Sequence, residues 1–179
     1  HLPVSYSFQL QSSEPDGLGW QHKRYQLLIN DVPVSNGQFI THLQAGRVVK
    51  FNGYLFTGLT MSTSPVLDEN TALQNALTDV GAVRYKWQDK DEEAFIKTEK
   101  GDPSATFYPK GTLEIVQLGG NTSNDFRLTW KFDVYAQEPM SRYYVFVDAQ
   151  SGEVVKKESR ICNANANGTA VTAYRGARA

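Results

Sequence analysis

This sequence of 179 residues lacks most of the features by which enzymes and membrane proteins are recognised. It has one cysteine, Cys162, so no disulfide can form within the chain. It has three histidines, and no two are separated by the spacing of an H-E-x-x-H zinc-peptidase helix. No apolar run approaches the roughly 20 residues of a membrane span. These absences exclude a disulfide scaffold and a membrane-spanning helix, and they give no sign of catalysis.

The sequence also lacks an excess of either charge. It has 18 basic and 19 acidic residues, and its formal net charge is −1. A nucleic-acid-binding domain normally has a basic patch, and an anionic membrane attracts one too. We therefore expect neither nucleic acid nor membrane as a partner. The hydrophobic fraction of 40% is ordinary and is enough for a globular core at this length.

The first third of the chain has the two-residue alternation of β-strands. Residues 25–29 alternate in this way and lead into Asn30-Asp31, a pair that tolerates positive φ, so we predict a hairpin. Ser35-Asn36-Gly37 predicts a second reversal of the chain, and Gln44-Ala45-Gly46 predicts another turn. Val4 to Gln11 is the expected leading strand. The pattern as a whole is typical of an antiparallel meander.

Helices are predicted in the second part of the chain. Asp68 suits the N-cap and Gly81 the C-terminal end of an amphipathic helix between them. The acidic run from Asp89 to Glu93 suits the first turn of a short helix, and we expect it to be a solvated face with no ligand.

A second sheet is predicted after these helices. Residues 112–118 alternate as a strand, and so do residues 128–135, where Trp130 is expected to be a core residue. Tyr143 to Val155 predicts a hairpin in which Gly152 occupies a bulged turn.

Two segments resemble the halves of one known propeptide. Trp20 to Val34, followed by Gln38 to Leu43 and Gly46 to Val49, resembles the fungalysin/thermolysin propeptide domain. Tyr144 to Val154 resembles the signature of a PepSY domain, the second half of thermolysin-type propeptides. The two resemblances occur in the order of that family, and together they cover nearly the whole chain.

The expected fold is α+β, with two small subdomains that each contain an antiparallel sheet, the second with a packed helix, followed by an extended C-terminal tail. Residues 1–61 are the propeptide-like domain and residues 62–162 the PepSY-like domain. Residues 163–179 are a linker and tail that enters or leads to a catalytic domain.

The resemblance implies that the chain is not an enzyme but the propeptide of a secreted thermolysin-like zinc metalloprotease. Such a propeptide is an intramolecular chaperone, and it inhibits the catalytic domain in the zymogen until it is autoprocessed and degraded. That catalytic domain is the expected partner, held without a covalent bond after cleavage, and it would contain the zinc and calcium. The chain itself is expected to need no cofactor. It would be extracellular, after transit through the periplasm if the source is Gram-negative.

The tail from Gly168 onward resembles the opening strand of a thermolysin-family catalytic domain. The family's cut usually lies before such a pattern. In this sequence the cleavage site is predicted after Ala179, and a cut nearer Gly168 is the alternative. The tail would fill the partner's cleft, with the Ala179 carboxylate near the partner's zinc, and the chain would have no metal ligand of its own. The expected inhibitory residues are Tyr174, Arg175, Gly176, Ala177, Arg178 and Ala179.

Two other interpretations stay open. The chain could be a standalone secreted module that binds proteins or inhibits proteases, with no catalytic domain attached. It could also be a small α+β enzyme whose site is assembled from scattered acidic and histidine residues. An H-E-x-x-H motif downstream in the reading frame is expected only for the propeptide.

Overall fold

The computed structural model of the chain describes residues 5–54, 56, 59, 61–120, 123–161, 170–172 and 176–178. Its strands are β1 (Tyr6–Pro15), β2 (Trp20–Ile29), β3 (Val32–Gln44), β4 (Arg47–Gly53), β5 (Arg84–Tyr85), β6 (Thr112–Leu118), β7 (Asp125–Glu138), β8 (Ser141–Asp148), β9 (Val154–Ser159), β10 (Ala170–Thr172) and β11 (Gly176–Arg178). The helices are α1 (Glu69–Val80) and α2 (Lys90–Lys100), and a 3-10 turn spans Lys86–Gln88. The predicted α+β class is confirmed.

One mixed sheet runs through most of the molecule. In the described part of the chain it has nine strands in the order β1-β2-β3-β6-β7-β8-β9, with β4 paired to β3 and β5 paired to β7. The parallel contact joins β3 to β6, where Val34 lies opposite Ile115. The long strand β3 meets β6 with its first half and β4 with its second half. The first part of the chain, β1–β4, is thus joined side by side to the second part, β5–β9, a junction that no local sequence pattern predicts.

The turns of β1–β4 follow the sequence prediction at two of three places. Asn30 and Asp31 connect β2 to β3 with φ values of 46° and 66°, and Ala45-Gly46 connects β3 to β4. The predicted reversal at Ser35-Asn36-Gly37 is wrong, because these residues lie within β3.

These residues form a bulge and not a reversal, because β3 pairs with β2 on both sides of them. The pairing stops after Pro33, opposite Leu28, and resumes at Gln38, opposite Gln26. Val34 to Gly37 therefore bulge opposite the single residue Leu27. The Gln26 amide holds the bulge by donating a hydrogen bond of 2.7 Å to the Val34 carbonyl.

Helix α1 begins and ends where the sequence predicts, and α2 begins at its predicted acidic run. The Asp68 carboxylate accepts a hydrogen bond of 2.9 Å from the Thr71 amide at the start of α1. Gly81 has φ 62° after its end, in the left-handed region that favours glycine. Helix α1 packs on β7, β8 and β9 through the buried residues Ala72, Leu73 and Ala76.

The prediction that the acidic run at the start of α2 is a solvated face is correct for the exposed Asp91 and wrong for Asp89, Glu92 and Glu93, which are half-buried. Asp89 is the N-cap and accepts a 2.9 Å hydrogen bond from the Asp91 amide. Glu92 forms an ion pair with the buried Lys86. Glu93 accepts a 2.7 Å hydrogen bond from the Phe107 amide. These carboxylates attach α2 to its neighbours, because the turn before it and the loop after it fold back onto its first turn.

Two buried clusters form the core. The first lies between α1 and the sheet and comprises Ala72, Leu73, Ala76, Tyr85, Phe132, Val134, Ala136, Val145 and Val147. The second lies where the two parts of the chain meet and comprises Leu27, Ile29, Val32, Val34, Ile115, Leu128 and Ala149. Trp130 packs against both clusters while remaining half-buried, and its indole N–H donates a 2.9 Å hydrogen bond to the Leu67 carbonyl. The two parts therefore share one of the clusters.

Candidate functional site

Three of the six predicted inhibitory residues lie outside the described residues. Tyr174, Arg175 and Ala179 are among those outside, as is Cys162. Gly176–Arg178 forms β11, which pairs antiparallel with Ala170–Thr172 of β10. The backbone of these two segments is thus extended, while the contacts of the tail's side chains stay a prediction.

Two histidines form a direct contact on the sheet of β1–β4. His22 on β2 and His42 on β3 are directly opposite each other. Their Nδ1 atoms are 2.7 Å apart, so one ring must donate and the other accept. His22 Nε2 lies 3.3 Å from Asp16 Oδ2, and His42 Nε2 lies 3.2 Å from Asn52 Nδ2. Four side chains thus form one continuous hydrogen-bonded row.

The end groups of this row fix the direction of each hydrogen bond. Asn52 Nδ2 can only donate, so His42 Nε2 accepts and the proton of His42 lies on Nδ1. His42 then donates to Nδ1 of His22, and His22 donates from Nε2 to the Asp16 carboxylate. All four ring nitrogens have a hydrogen-bond partner in this arrangement. The pair therefore offers no free lone pair to a substrate or a metal ion.

Asp16 is suited to its place at the end of the row. Its Oδ1 accepts hydrogen bonds from the amides of Trp20, at 2.9 Å, and Leu18, at 2.8 Å. The Trp20 hydrogen bond is the main cause that holds the pKa of Asp16 below its ordinary value, with smaller contributions from Leu18 and His22. Asp16 thus stays a carboxylate and closes the turn between β1 and β2. We interpret the row as a structural connection between strands.

The described residues contain no other arrangement that suggests catalysis. Among them, no three His, Cys, Asp or Glu side chains are placed so as to hold a metal ion. Within the same residues, no helix has the length and apolar character needed to cross a membrane. The histidine row lies on the sheet of β1–β4.

That sheet coincides with a known motif. The Fungalysin/Thermolysin Propeptide Motif matches residues 6–55, and β1–β4 occupy residues 6–53 of that range. In this segment the chain is similar to the fungalysin/thermolysin propeptide family. The resemblance predicted from Trp20 to Val49 is confirmed in this segment.

Curated relatives extend the similarity to nearly the whole chain. Bacillolysin of Bacillus amyloliquefaciens is 26% identical over 172 residues, which are 94% of this chain and 30% of the relative. Bacillolysin of Bacillus subtilis (strain 168) is 25% identical over 170 residues, with the same coverage of each chain. The chain thus spans about a third of the length of the curated relatives it matches.

Among solved structures, the Bacillus megaterium YpeB C-terminal domain aligns with 86% of this chain and 56% of that chain. The TM-score is 0.41 and the sequence identity 13%, a likeness too slight to support an argument.

Proposed function

We propose that this chain is the propeptide of a secreted thermolysin-like zinc metalloprotease, and that it assists the folding of the catalytic domain and inhibits it until autoprocessing. The match of residues 6–55 to the propeptide motif carries the proposal. The alignment of 94% of the chain with only 30% of the bacillolysins supports it, since a propeptide is one part of a longer precursor. The second half of the chain is proposed to be a PepSY domain.

The chaperone role requires only a difference in affinity. A propeptide that binds the native-like catalytic domain better than its unfolded chain shifts the equilibrium toward the folded protease. The shared cluster fixes the two parts of the chain against each other before any partner binds. A surface that is already formed loses little entropy on binding.

Inhibition is proposed to come from the tail, which would lie in the partner's cleft. The described tail segments Ala170–Thr172 and Gly176–Arg178 have an extended backbone, and an extended segment can add a strand to the exposed edge of another protein's sheet. The carboxylate of Ala179 would then lie near the partner's zinc after cleavage. Zinc and calcium belong to the partner in this proposal.

The test compares the full chain with a version that ends at Asn163, each titrated against the metalloprotease domain of the same precursor. The full chain should inhibit peptidase activity, and the shortened chain should lose most of that inhibition. Equal inhibition by both would assign the inhibitory surface to the folded part instead of the tail. Absence of inhibition by both, together with no gain in refolding yield of the protease, would refute the proposed function.

A further inference from the structure

One face of the β1–β4 sheet is apolar and continues outward from the core. Successive residues of a strand point to opposite faces, and residues opposite each other in a pair share a face. The register therefore assigns one set of side chains to the same face, which we call the aromatic face. Its apolar members away from the core include Phe8, Leu10, Tyr25, Phe39, Val48 and Phe51.

The aromatic rings on this face contact one another. The ring centroids of Phe8 and Phe39 are 5.1 Å apart in an edge-to-face arrangement. Those of Tyr25 and Phe39 are 5.0 Å apart and nearly parallel. Rings at these distances form a favourable, preordered group. The aromatic face is thus a coherent apolar surface and not a set of isolated side chains.

The described residues cover one end of this face and leave the other end open. On β2, Leu27 and Ile29 are on the same face as Tyr25 and are 1% and 0% exposed, because Phe56, Leu59 and Met61 pack over their cluster. Farther from that junction the exposure rises sharply. It is 49% for Phe8, 51% for Leu10, 59% for Val48 and 64% for Phe51.

An uncovered apolar face of this kind usually marks a site of protein interaction. Helix α1 packs on β7, β8 and β9 instead. Lys23, opposite Thr41, is the charged residue of β2 that shares the face, so a matching surface would be apolar and carry little charge. The face lies within residues 6–55, the segment that defines the propeptide motif.

We propose that the aromatic face is the docking surface for the catalytic domain of the same precursor. This inference rests on the proposed function and adds the surface through which it acts. Two observations support it. The face continues into the buried cluster that joins the two parts of the chain. The chain also spans only 30% of the length of its relatives, so a precursor like theirs contains a further segment for the face to bind. The rest of such a precursor provides a partner that is always present at equal concentration. Exposed aromatic anchors in a cluster are the side chains that dominate such interfaces.

The experiment measures the affinity of the full chain for the mature metalloprotease domain of its precursor. The variants are Phe51→Gln and Leu10→Gln, both on the aromatic face, and the matched control is Phe95→Gln, since Phe95 on α2 is 58% exposed. Each face variant should weaken binding at least about tenfold, as expected for an interface anchor, and the control should bind as the unchanged chain does. Circular dichroism spectra of all variants check that they are folded. Because two positions of the face are changed separately, the test does not depend on the folding of one variant.

Three outcomes would overturn the inference. If the unchanged chain binds the protease and both face variants bind equally well, the docking surface lies elsewhere and the proposed function stands. If sedimentation shows a dimer that Phe51→Gln dissociates, with protease binding unaffected, the occupant is a second copy. If deletion of residues 163–179 newly exposes the face to an apolar dye, the occupant is the chain's own tail. Failure of the unchanged chain to bind at all would instead refute the proposed function.

Discussion

At the scale of single residues, Asp68 shows how one side chain sets both a helix boundary and a dependence on pH. The Thr71 amide, aided by the Thr71 hydroxyl, is the main cause that holds the pKa of Asp68 below its ordinary value of 3.8. Because the pKa is lowered by folding, the stability that Asp68 contributes is complete above that ordinary value. It is lost as the pH falls through the lower pKa of the folded state.

We therefore expect Asp68→Asn to change the acid limb of the stability curve. Asparagine caps helices about as well as aspartate does, so stability at neutral pH should change little. Below pH 3.8, the unchanged protein should lose stability relative to Asp68→Asn, while Asp68→Ala should be less stable at neutral pH as well. Urea unfolding of the three proteins at a series of pH values measures this. A constant difference between the protein and Asp68→Asn at every pH would contradict the expectation.

Gly53, at the end of β4, is required by the close approach of two strands. Its φ is 133°, and an added Cβ would overlap the Gln38 carbonyl oxygen and lie 2.8 Å from Phe39 Cβ. Gly46 also has positive φ, at 77°, but has open space around it. Gly46→Ala should cost about 1 kcal/mol from backbone strain. Gly53→Ala should cost roughly 3 kcal/mol because the overlap adds to the strain. Thermal unfolding of both variants tests the difference, and equal losses would show that the overlap is relieved.

At the scale of elements, the sequence predicts the helices well because their signals are local. Asp68 and Gly81 bound α1, and Asp89 and Gly101 bound α2, through capping groups within a turn of each end. The pairing of His22 with His42, by contrast, does not follow from a local signal. The turn at Asn30-Asp31 pairs residue 29 with residue 32, and continued in regular register it would put residue 39 opposite His22. The bulge at Val34 to Gly37 shifts the register by three residues and brings His42 there instead.

That shift depends on contacts that no local pattern reveals. The bulge is stabilised by the Gln26 amide and by the parallel contact of Val34 with Ile115, about eighty residues away in the chain. The acidic run of α2 shows the same limit, since Lys86 and Phe107 lie outside the helix that contains it. The sequence predicts which segments form strands and helices, and tertiary partners decide register and the role of individual charges.

The ion pair that attaches α2 to the turn before it can be tested by mutation. Lys86 is buried and its ammonium pairs with Glu92, so Glu92→Gln should leave that charge without its ionic partner. We expect a loss of about 1.5–3 kcal/mol, the usual contribution of a charge-assisted hydrogen bond. The control is Asp91→Asn in the same helical turn, where we expect a much smaller change. Chemical denaturation of both variants is the measurement, and similar effects in both would mean that the pair is solvated.

At the scale of the whole molecule, the shared cluster determines whether the two predicted domains fold separately. Leu27 and Val34 from the propeptide motif pack with Ile115 and Leu128 from the second part. Neither part can bury these side chains by itself, because each supplies one side of the cluster. We therefore expect the two parts to unfold as one cooperative unit. The division at residue 61 would then mark a boundary in sequence and not in stability.

Val34→Ala tests this expectation by weakening the cluster from the first part of the chain. Val34 is fully buried, so the change should cost roughly 2 kcal/mol through lost burial and the cavity left behind. The control is Val83→Ala, because Val83 is 84% exposed and a change at such a surface position usually stays within about 0.5 kcal/mol. Native-state hydrogen exchange should show equal losses of protection in β2–β3 and in β7–β8 if unfolding is cooperative. A loss confined to β2–β3 would show that the propeptide motif opens independently, and its aromatic face would then be free to adjust to a partner while the second part stays folded.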